Sequence, residues 1–385
     1  MIRIRGTIRL CCASIFIPTD ISPDFRHLSN IKPNTTVTAQ AEARGDWEQR
    51  WHPLLREWVI YSAHRQNRPW TGERAVALDV AQPAYDAECY LCPGNLRIND
   101  VQNPPYSEVH VFDNDRPSIS FEAPLVLPVP AGIYRNKPAT GLTRVLCYSP
   151  LHNKTMAELS ESQVLTIVEE WQSQTRQLST LNGIRSVTIF ENKGELCGMS
   201  NPHPHGQIYA TNFIYKTIES HLLAASEHHE QTGRILFQDI LKAEQFDASR
   251  IVAENDTMVA FVPYFARFSY EVYLSPKRTV AHVSDLSDVE TVDLAALLRL
   301  VLVKMDNLWS MPFPYLMMLH QAPVDDGDYS LFHFHIELYP PLRTPELRKY
   351  VAAHEIGGGN FLADTMPEVK ASELRASPSI HYNSK

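Results

Sequence analysis

Two stretches of this chain repeat one another. In the first, an apolar run, Val145-Leu-Cys-Tyr148, ends at Ser149-Pro150. It is followed by Ser160-Glu161-Ser162-Gln163, a run carrying Val164, Leu165, Val168, Trp171 and Leu178, then Ser186-Val-Thr-Ile-Phe190 and His203-Pro204-His205. In the second, Glu271-Val-Tyr-Leu274 ends at Ser275-Pro276. Ser287-Asp288-Val289-Glu290 follows, then a run with Leu294, Leu297, Leu298, Val301 and Met305, then Pro314-Tyr-Leu-Met-Met-Leu319 and His333-Phe334-His335-Ile336-Glu337. Ser-x-x-Gln and Ser-x-x-Glu are capping boxes that start helices. The apolar spacing behind each is helical, and the β-branched runs read as strands. The same elements in the same order at similar spacing are an internal duplication. A unit of one helix and three strands is too rich in bare strand edges to stand alone. The expected fold is therefore α+β, with two copies of one unit sharing a mostly antiparallel sheet and helices packed against it. The halves are read as 46–215 and 216–385. Residues 1–45 read as a disordered extension: Met1 to Ile17 is basic without acids, and Ile31 to Gly45 has linker composition.

The chemistry concentrates in Ser200-Asn-Pro-His203-Pro-His205-Gly-Gln207. Proline fixes φ and lacks an N–H, so the run is extended, and His203, His205 and Gln207 are expected to share a face. A neutral imidazole attacks well near pH 7 and leaves well as imidazolium, which makes His205 the candidate nucleophile. Its other ring nitrogen must be held by an acceptor such as a backbone carbonyl. Gln207 can hydrogen-bond a phosphoryl oxygen but cannot deliver a proton, and Ser200 can donate to a phosphate oxygen.

Composition narrows the partners. A formal net charge of −9 argues against a nucleic-acid or anionic-membrane surface, so phosphate binding must come from a few local cations. No apolar run approaches the roughly 20 residues of a spanning helix. Six cysteines are too sparse for a disulfide framework, which fits a cytoplasmic, reducing location. Cys89-Tyr-Leu-Cys92 has the spacing of half a metal site, while Cys147 and Cys197 read as buried thiols.

The Ser200–Gln207 motif resembles the active-site signature of the galactose-1-phosphate uridylyltransferases, a branch of the histidine-triad superfamily, and the resemblance runs from about Trp51 to about Arg375. It implies two histidine-triad units per chain. It also implies a reaction of galactose metabolism (the Leloir pathway), in which UMP passes from UDP-glucose to galactose-1-phosphate through a uridylyl-histidine at His205. Hydrolases of the superfamily carry a third histidine where this chain has Gln207, so the resemblance favours a transferase. Ser62-Ala-His-Arg65-Gln-Asn-Arg68 is similar to a phosphate-contacting loop, placing Arg65 and Arg68 on phosphates. Phe112-Asp-Asn114-Asp115 resembles a uridine-reading loop, with Arg116 departing from an expected apolar or aromatic residue. Asn192 is implied at the nucleotide phosphates.

Lys349 and Glu355 resemble sugar- and phosphate-holding residues reached from a neighbouring subunit, which implies a homodimer; His354 replaces an aromatic there. The resemblance further implies one structural zinc on Cys89, Cys92, His152 and His203. A second metal, iron or zinc, is implied on His320, His333 and His335, with His221 or Glu219 as the remaining ligand. Competing readings are a related nucleotidyltransferase or phosphorylase acting on another nucleotide sugar, and a non-catalytic, zinc-held nucleotide-binding protein.

Overall fold

The computed structural model describes residues 46–67 and 82–384. The expectations for residues 1–45 and for Arg68 lie outside the described residues. In chain order the strands and helices are β1 (Asp46–His52), β2 (Glu57–Ser62), β3 (His110–Asp113), β4 (Gly141–Cys147), α1 (Glu161–Ser179), β5 (Ser186–Lys193) and β6 (His205–Thr211). Then come α2 (Lys216–Thr232), α3 (Leu236–Asp247), β7 (Ile251–Glu254), β8 (Met258–Phe261), β9 (Val272–Pro276), α4 (Asp288–Trp309), β10 (Tyr315–His320) and β11 (His335–Tyr339). The chain closes with β12 (Leu342–Thr344), β13 (Leu347–Arg348), α5 (Ala353–Gly358), β14 (Leu362–Ala363) and α6 (Pro367–Ala376).

The helices start where the capping boxes place them. Ser160 Oγ accepts from Gln163 N at 3.3 Å, and Gln163 Oε1 accepts from Ser160 N at 2.9 Å. Ser287 and Glu290 repeat this at 3.3 and 2.8 Å. Each box satisfies two of the amide groups that a helix start leaves unpaired. The apolar stripes of α1 and α4 then meet one face of the sheet. Val164, Val168 and Trp171 of α1 join Leu294, Leu298 and Val301 of α4 in one fully buried core with Ile189, Ile208, Leu274 and Ile336 of the strands. Burial of this apolar surface, at about 25 cal/mol per Å², is what holds helices to sheet.

Nine strands form the main sheet, in the order β3-β4-β6-β5-β10-β11-β9-β8-β7. Every neighbouring pair is antiparallel. This is the expected α+β architecture. The halves meet at β5 and β10, where Phe190 pairs with Met318 and Glu191 with Met317. A pseudo-twofold axis passes between Phe190 and Met318. It exchanges β4-β6-β5 with β9-β11-β10, and the register follows: Phe190 pairs with Gln207 in the first half, and Met318 with Glu337 in the second. A smaller sheet, β1-β2-β14, joins the start of the described chain to its end through a parallel β2–β14 pairing. None of the described helices is long and apolar enough to cross a membrane.

One local expectation changes. β5 runs on through Lys193, and the chain turns at Gly194, whose φ is +89°. The histidine strand begins only at His205, not at His203. Pro204 has no N–H for a ladder, and the amide of His203 is already taken by Asn201 Oδ1 at 2.9 Å, an Asx turn. His203 therefore does not share the face of His205 and Gln207.

Arg278 grips Glu290 with two bonds, Nε to Oε1 at 2.9 Å and Nη2 to Oε2 at 2.6 Å, and this lowers the carboxyl to about 2. The stabilisation is complete above the ordinary pKa of 4.5 and is lost as pH falls through about 2. Glu290→Gln keeps the capping box, as Gln163 does in the first half, but loses the ion pair. It should cost about 1 kcal/mol at pH 7, with the gap to the parent chain narrowing steadily below pH 4.5 in denaturant titrations.

Candidate active site and metal centres

His205 is the first residue of β6 and pairs with Cys147 of β4. Its Nδ1–H donates to the carbonyl of His203 at 2.7 Å. That bond fixes the tautomer and leaves the Nε2 lone pair as the reactive position. Burial lowers the pKa of His205, opposed by the His203 carbonyl, so the ring is neutral at physiological pH. Gln207 lies two residues on, half-buried on the same face. The hydroxyl of Tyr209 reaches its Oε1 at 3.5 Å, which leaves the amide nitrogen for a phosphoryl oxygen. Asn192 is half-buried at the end of β5, and Ser200 is exposed on the loop that joins β5 to β6.

The expected uridine loop closes on itself through a residue the sequence reading passed over, Arg97. Its guanidinium lies 4.2 Å from the Phe112 ring centre and 3.4 Å from Asp115. Asn114 Oδ1 accepts from the amide of Arg116 at 2.9 Å. Arg116 is thus a backbone partner of Asn114 and leaves the stacking position to Arg97. A signal was present in Arg97 itself, a cation close behind the paired cysteines.

Arg65 lies elsewhere, beside the small sheet, 3.4 Å from Asp364, which also holds Arg343 at 3.2 Å. Lys349 and Glu355 are joined to each other at 2.7 Å, with side chains 6% and 2% exposed. Glu355 also accepts from the amides of Ala352 and Leu362, and Lys349 donates to the Leu362 carbonyl. Within one chain these residues are anchored to the β2–β14 edge, not to β6.

Four buried donors converge beside His205: Cys89, Cys92, His152 and His203, all within 4.8 Å of one another. Cys92 Sγ lies 3.6 Å from His152 Nδ1 and 3.4 Å from His203 Nδ1. A tetrahedral ion with bonds of about 2.3 Å to sulfur and about 2.05 Å to nitrogen separates such atoms by about 3.5 Å, so the set fits. His203 Nε2–H donates to the Ser149 carbonyl at 3.0 Å, which turns the Nδ1 lone pair inward. Burial pushes the Cys92 thiol up to about 11, and a bound dication reverses that preference.

A second buried cluster joins His221 of α2, His320 of β10 and His335 of β11 within the same 4.8 Å. Both ring nitrogens of His221 and Nδ1 of His320 have no hydrogen-bond partner, which is what ligand atoms awaiting an ion look like. His335 repeats the device of His205, its Nδ1–H donating to the His333 carbonyl at 2.8 Å. His333 itself, expected among the ligands, stands outside the cluster. Its Nε2 meets the Pro276 carbonyl at 3.0 Å and Ser275 Oγ at 2.8 Å, and its ring stacks on Phe237 at 4.4 Å.

Of the two residues considered for the open position, His221 is buried in the cluster, while Glu219 is exposed and pairs with Lys216. Glu337 is an addition. Its carboxylate spans His335 Nε2 at 3.0 Å and His320 Nε2 at 3.4 Å. Burial alone would raise its pKa, but His320 and His335 hold it well below the carboxylate range. By the pseudo-twofold register, His320, His335 and Glu337 occupy the positions of Asn192, His205 and Gln207. One trio of sheet positions thus belongs to a candidate metal cluster in one half and to the candidate nucleophile in the other.

Two family models cover almost all of the described chain: galactose-1-phosphate uridyl transferase, N-terminal domain, over residues 38–214, and its C-terminal domain over 221–385. The chain belongs to the galactose-1-phosphate uridylyltransferase family. A galactose-1-phosphate uridylyltransferase of Haemophilus influenzae is 36% identical over 91% of this chain and 99% of its own length. Those of Saccharomyces cerevisiae and Rattus norvegicus are each 34% identical, over 87% and 86% of this chain and 95% and 88% of their own lengths. Among solved structures, a uridylyltransferase superposes with a TM-score of 0.69 at 28% identity, over 86% of this chain and 97% of its own. An ADP-glucose phosphorylase of Arabidopsis thaliana shares the fold with the same TM-score at 24% identity, over 86% of this chain and 99% of its own.

Elemental analysis of purified variants tests the two clusters separately. Cys92→Ser should remove the metal held beside His205 and leave the second, and His221→Ala should do the reverse. A shared loss in either variant would contradict two independent centres.

Proposed function

We infer that the chain transfers the uridylyl group of UDP-glucose to galactose-1-phosphate. It is an enzyme, a nucleotidyltransferase of the family its sequence matches. The observation that carries the reaction is His205, with Nδ1 fixed on the His203 carbonyl and Gln207 two residues on. The Nε2 lone pair attacks the α-phosphorus of UDP-glucose. An N–P bond forms, the bond to the bridging oxygen breaks, and glucose-1-phosphate leaves with the electron pair. A phosphate oxygen of galactose-1-phosphate then attacks the same phosphorus. The N–P bond breaks, UDP-galactose departs, and the imidazole returns neutral. Gln207 and Ser200 steady the phosphoryl oxygens. Gln207, a neutral amide, is no base that takes a proton from attacking water, so the covalent intermediate waits for its acceptor. Asn192, Asn114 and Asp115 are assigned to the nucleotide; Arg65, beside the small sheet, and Arg68 are assigned to its phosphates, and Lys349 and Glu355 to the sugar phosphate, all four as groups supplied by a second copy.

The two-cysteine, two-histidine set suits zinc, which has no redox chemistry and takes four such ligands in structural sites. His203 would hold it, so that the ion anchors the residue whose carbonyl orients His205. For the second centre the set of three histidines beside one carboxylate accepts iron or zinc. We further propose a homodimer. The anchoring of Lys349 and Glu355 away from β6 supports a site completed by the same segment of a second copy. The division into halves near 215 and a cytoplasmic location, where the thiols stay reduced, belong to the same reading.

Intact-protein mass after incubation with UDP-glucose alone provides the test. A gain of one uridylyl group is expected, absent in His205→Ala and discharged by galactose-1-phosphate, with ping-pong kinetics at steady state. Steady hydrolysis without a covalent adduct would defeat this mechanism.

A further inference from the structure

We propose that Glu191 and Tyr148 are positioning residues for the nucleophile, acting through the backbone of Gly206. The inference rests on His205 as nucleophile and goes beyond it to what holds the reactive strand at its height.

Glu191 lies on the helix-facing side of the sheet, opposite His205, and cannot touch substrate. It is 3% exposed. Its Oε2 accepts from two buried hydroxyls, Tyr148 at 3.2 Å and Tyr315 at 3.0 Å. The Tyr148 hydroxyl is pressed against Gly206. A Cβ placed there would lie 2.6 Å from that oxygen and 3.2 Å from the ring carbon that bears it. The residue between His205 and Gln207 therefore rests directly on the phenol, and only glycine leaves room for it.

The residues around Tyr148 grip the same motif. Cys147 pairs with His205, Tyr148 N donates to the Pro204 carbonyl at 3.3 Å, and the Ser149 carbonyl takes the His203 ring. Residues 147–149 are thus a cradle for 203–206. The Glu191 carboxylate ties that cradle to β5 and, through Tyr315, to β10 of the other half. A buried carboxylate is costly: burial raises Glu191 to about 7. Three well-packed apolar side chains would fill this space at no such cost. What the polar triad adds is a defined geometry, since a satisfied buried network admits few alternative packings.

Nucleophilic attack is sensitive to that geometry, because a displacement of about 1 Å can cost on the order of 100-fold in rate. Single-turnover uridylylation from UDP-glucose, followed by quench and intact mass, reads the attack. Equilibrium titration in the His205→Ala background reads binding. Tyr148→Phe and Glu191→Leu should slow attack by about 10- to 100-fold and move the UDP-glucose dissociation constant by less than about threefold. Glu191→Gln, whose amide oxygen still accepts both hydroxyls, should recover the rate to within about threefold of the parent.

Attack at the parental rate in Tyr148→Phe and Glu191→Leu would overturn the proposal, whatever their thermal stability. So would a loss carried by binding alone, or Glu191→Gln as slow as Glu191→Leu. If Glu191→Leu fails to fold, Tyr148→Phe and Glu191→Gln decide between them. A parent protein that never gains a uridylyl group would instead count against the transferase mechanism.

Discussion

The hydrogen bond from His205 Nδ1 to the carbonyl of His203, 2.7 Å long, is the constraint on which the active site depends. Without it the imidazole can carry its proton on either nitrogen, and the attacking lone pair is not defined. The bond in turn needs the His203 carbonyl to be immobile. Pro202 and Pro204 stiffen it from both sides, Asn201 holds its amide, and the Ser149 carbonyl holds its ring. The cluster of Cys89, Cys92 and His152 closes around the remaining nitrogen. A metal ion held there would reach His205 through one residue and one carbonyl.

The second half shows which parts of this arrangement belong to the fold and which to catalysis. His335 keeps the same bond to the carbonyl two residues back, at 2.8 Å. The strand geometry alone therefore generates an oriented histidine. What differs is its company. Gln207 and Asn192, neutral amides suited to an anionic substrate, are answered by Glu337 and His320. An anion at 337 repels phosphate and attracts a cation. The change of two neighbours converts the same position from a candidate nucleophile to part of a buried cluster able to hold a cation.

Much of this was legible in the chain. The capping boxes, the repeated order of elements and the two histidine pairs were enough for a duplicated α+β sheet, and the paired cysteines marked the first metal cluster. What escaped depended on contacts between residues far apart in sequence or on backbone detail. His203 and His333 look like strand residues by alternation, but both strands begin two positions later; the ring of His333 is taken by the Pro276 carbonyl and Ser275, outside the cluster that His221, one of the two residues considered, joins. Glu337 meets His320 only because its strand lies beside β10. Arg97 and Glu191 each act on an aromatic partner that only the folded sheet supplies. Lys349 and Glu355 matched a family pattern, but no sequence pattern shows that within one chain they neutralise each other.

The seam between β5 and β10, running from Lys193 opposite Tyr315 to Ile189 opposite Leu319, has the geometry of an isologous dimer interface. A half-chain alone would expose the β5 edge, and a second copy could pair with it about the same axis, Phe190 facing Phe190. Fusing the two copies into one polypeptide removes the requirement that both remain identical. Each site in an isologous pair must change in step with its mate, whereas here 192, 205 and 207 are inherited separately from 320, 335 and 337. The covalent link between halves thus lets the two symmetry-related positions carry different neighbours, neutral amides beside His205 and a histidine and a carboxylate beside His335.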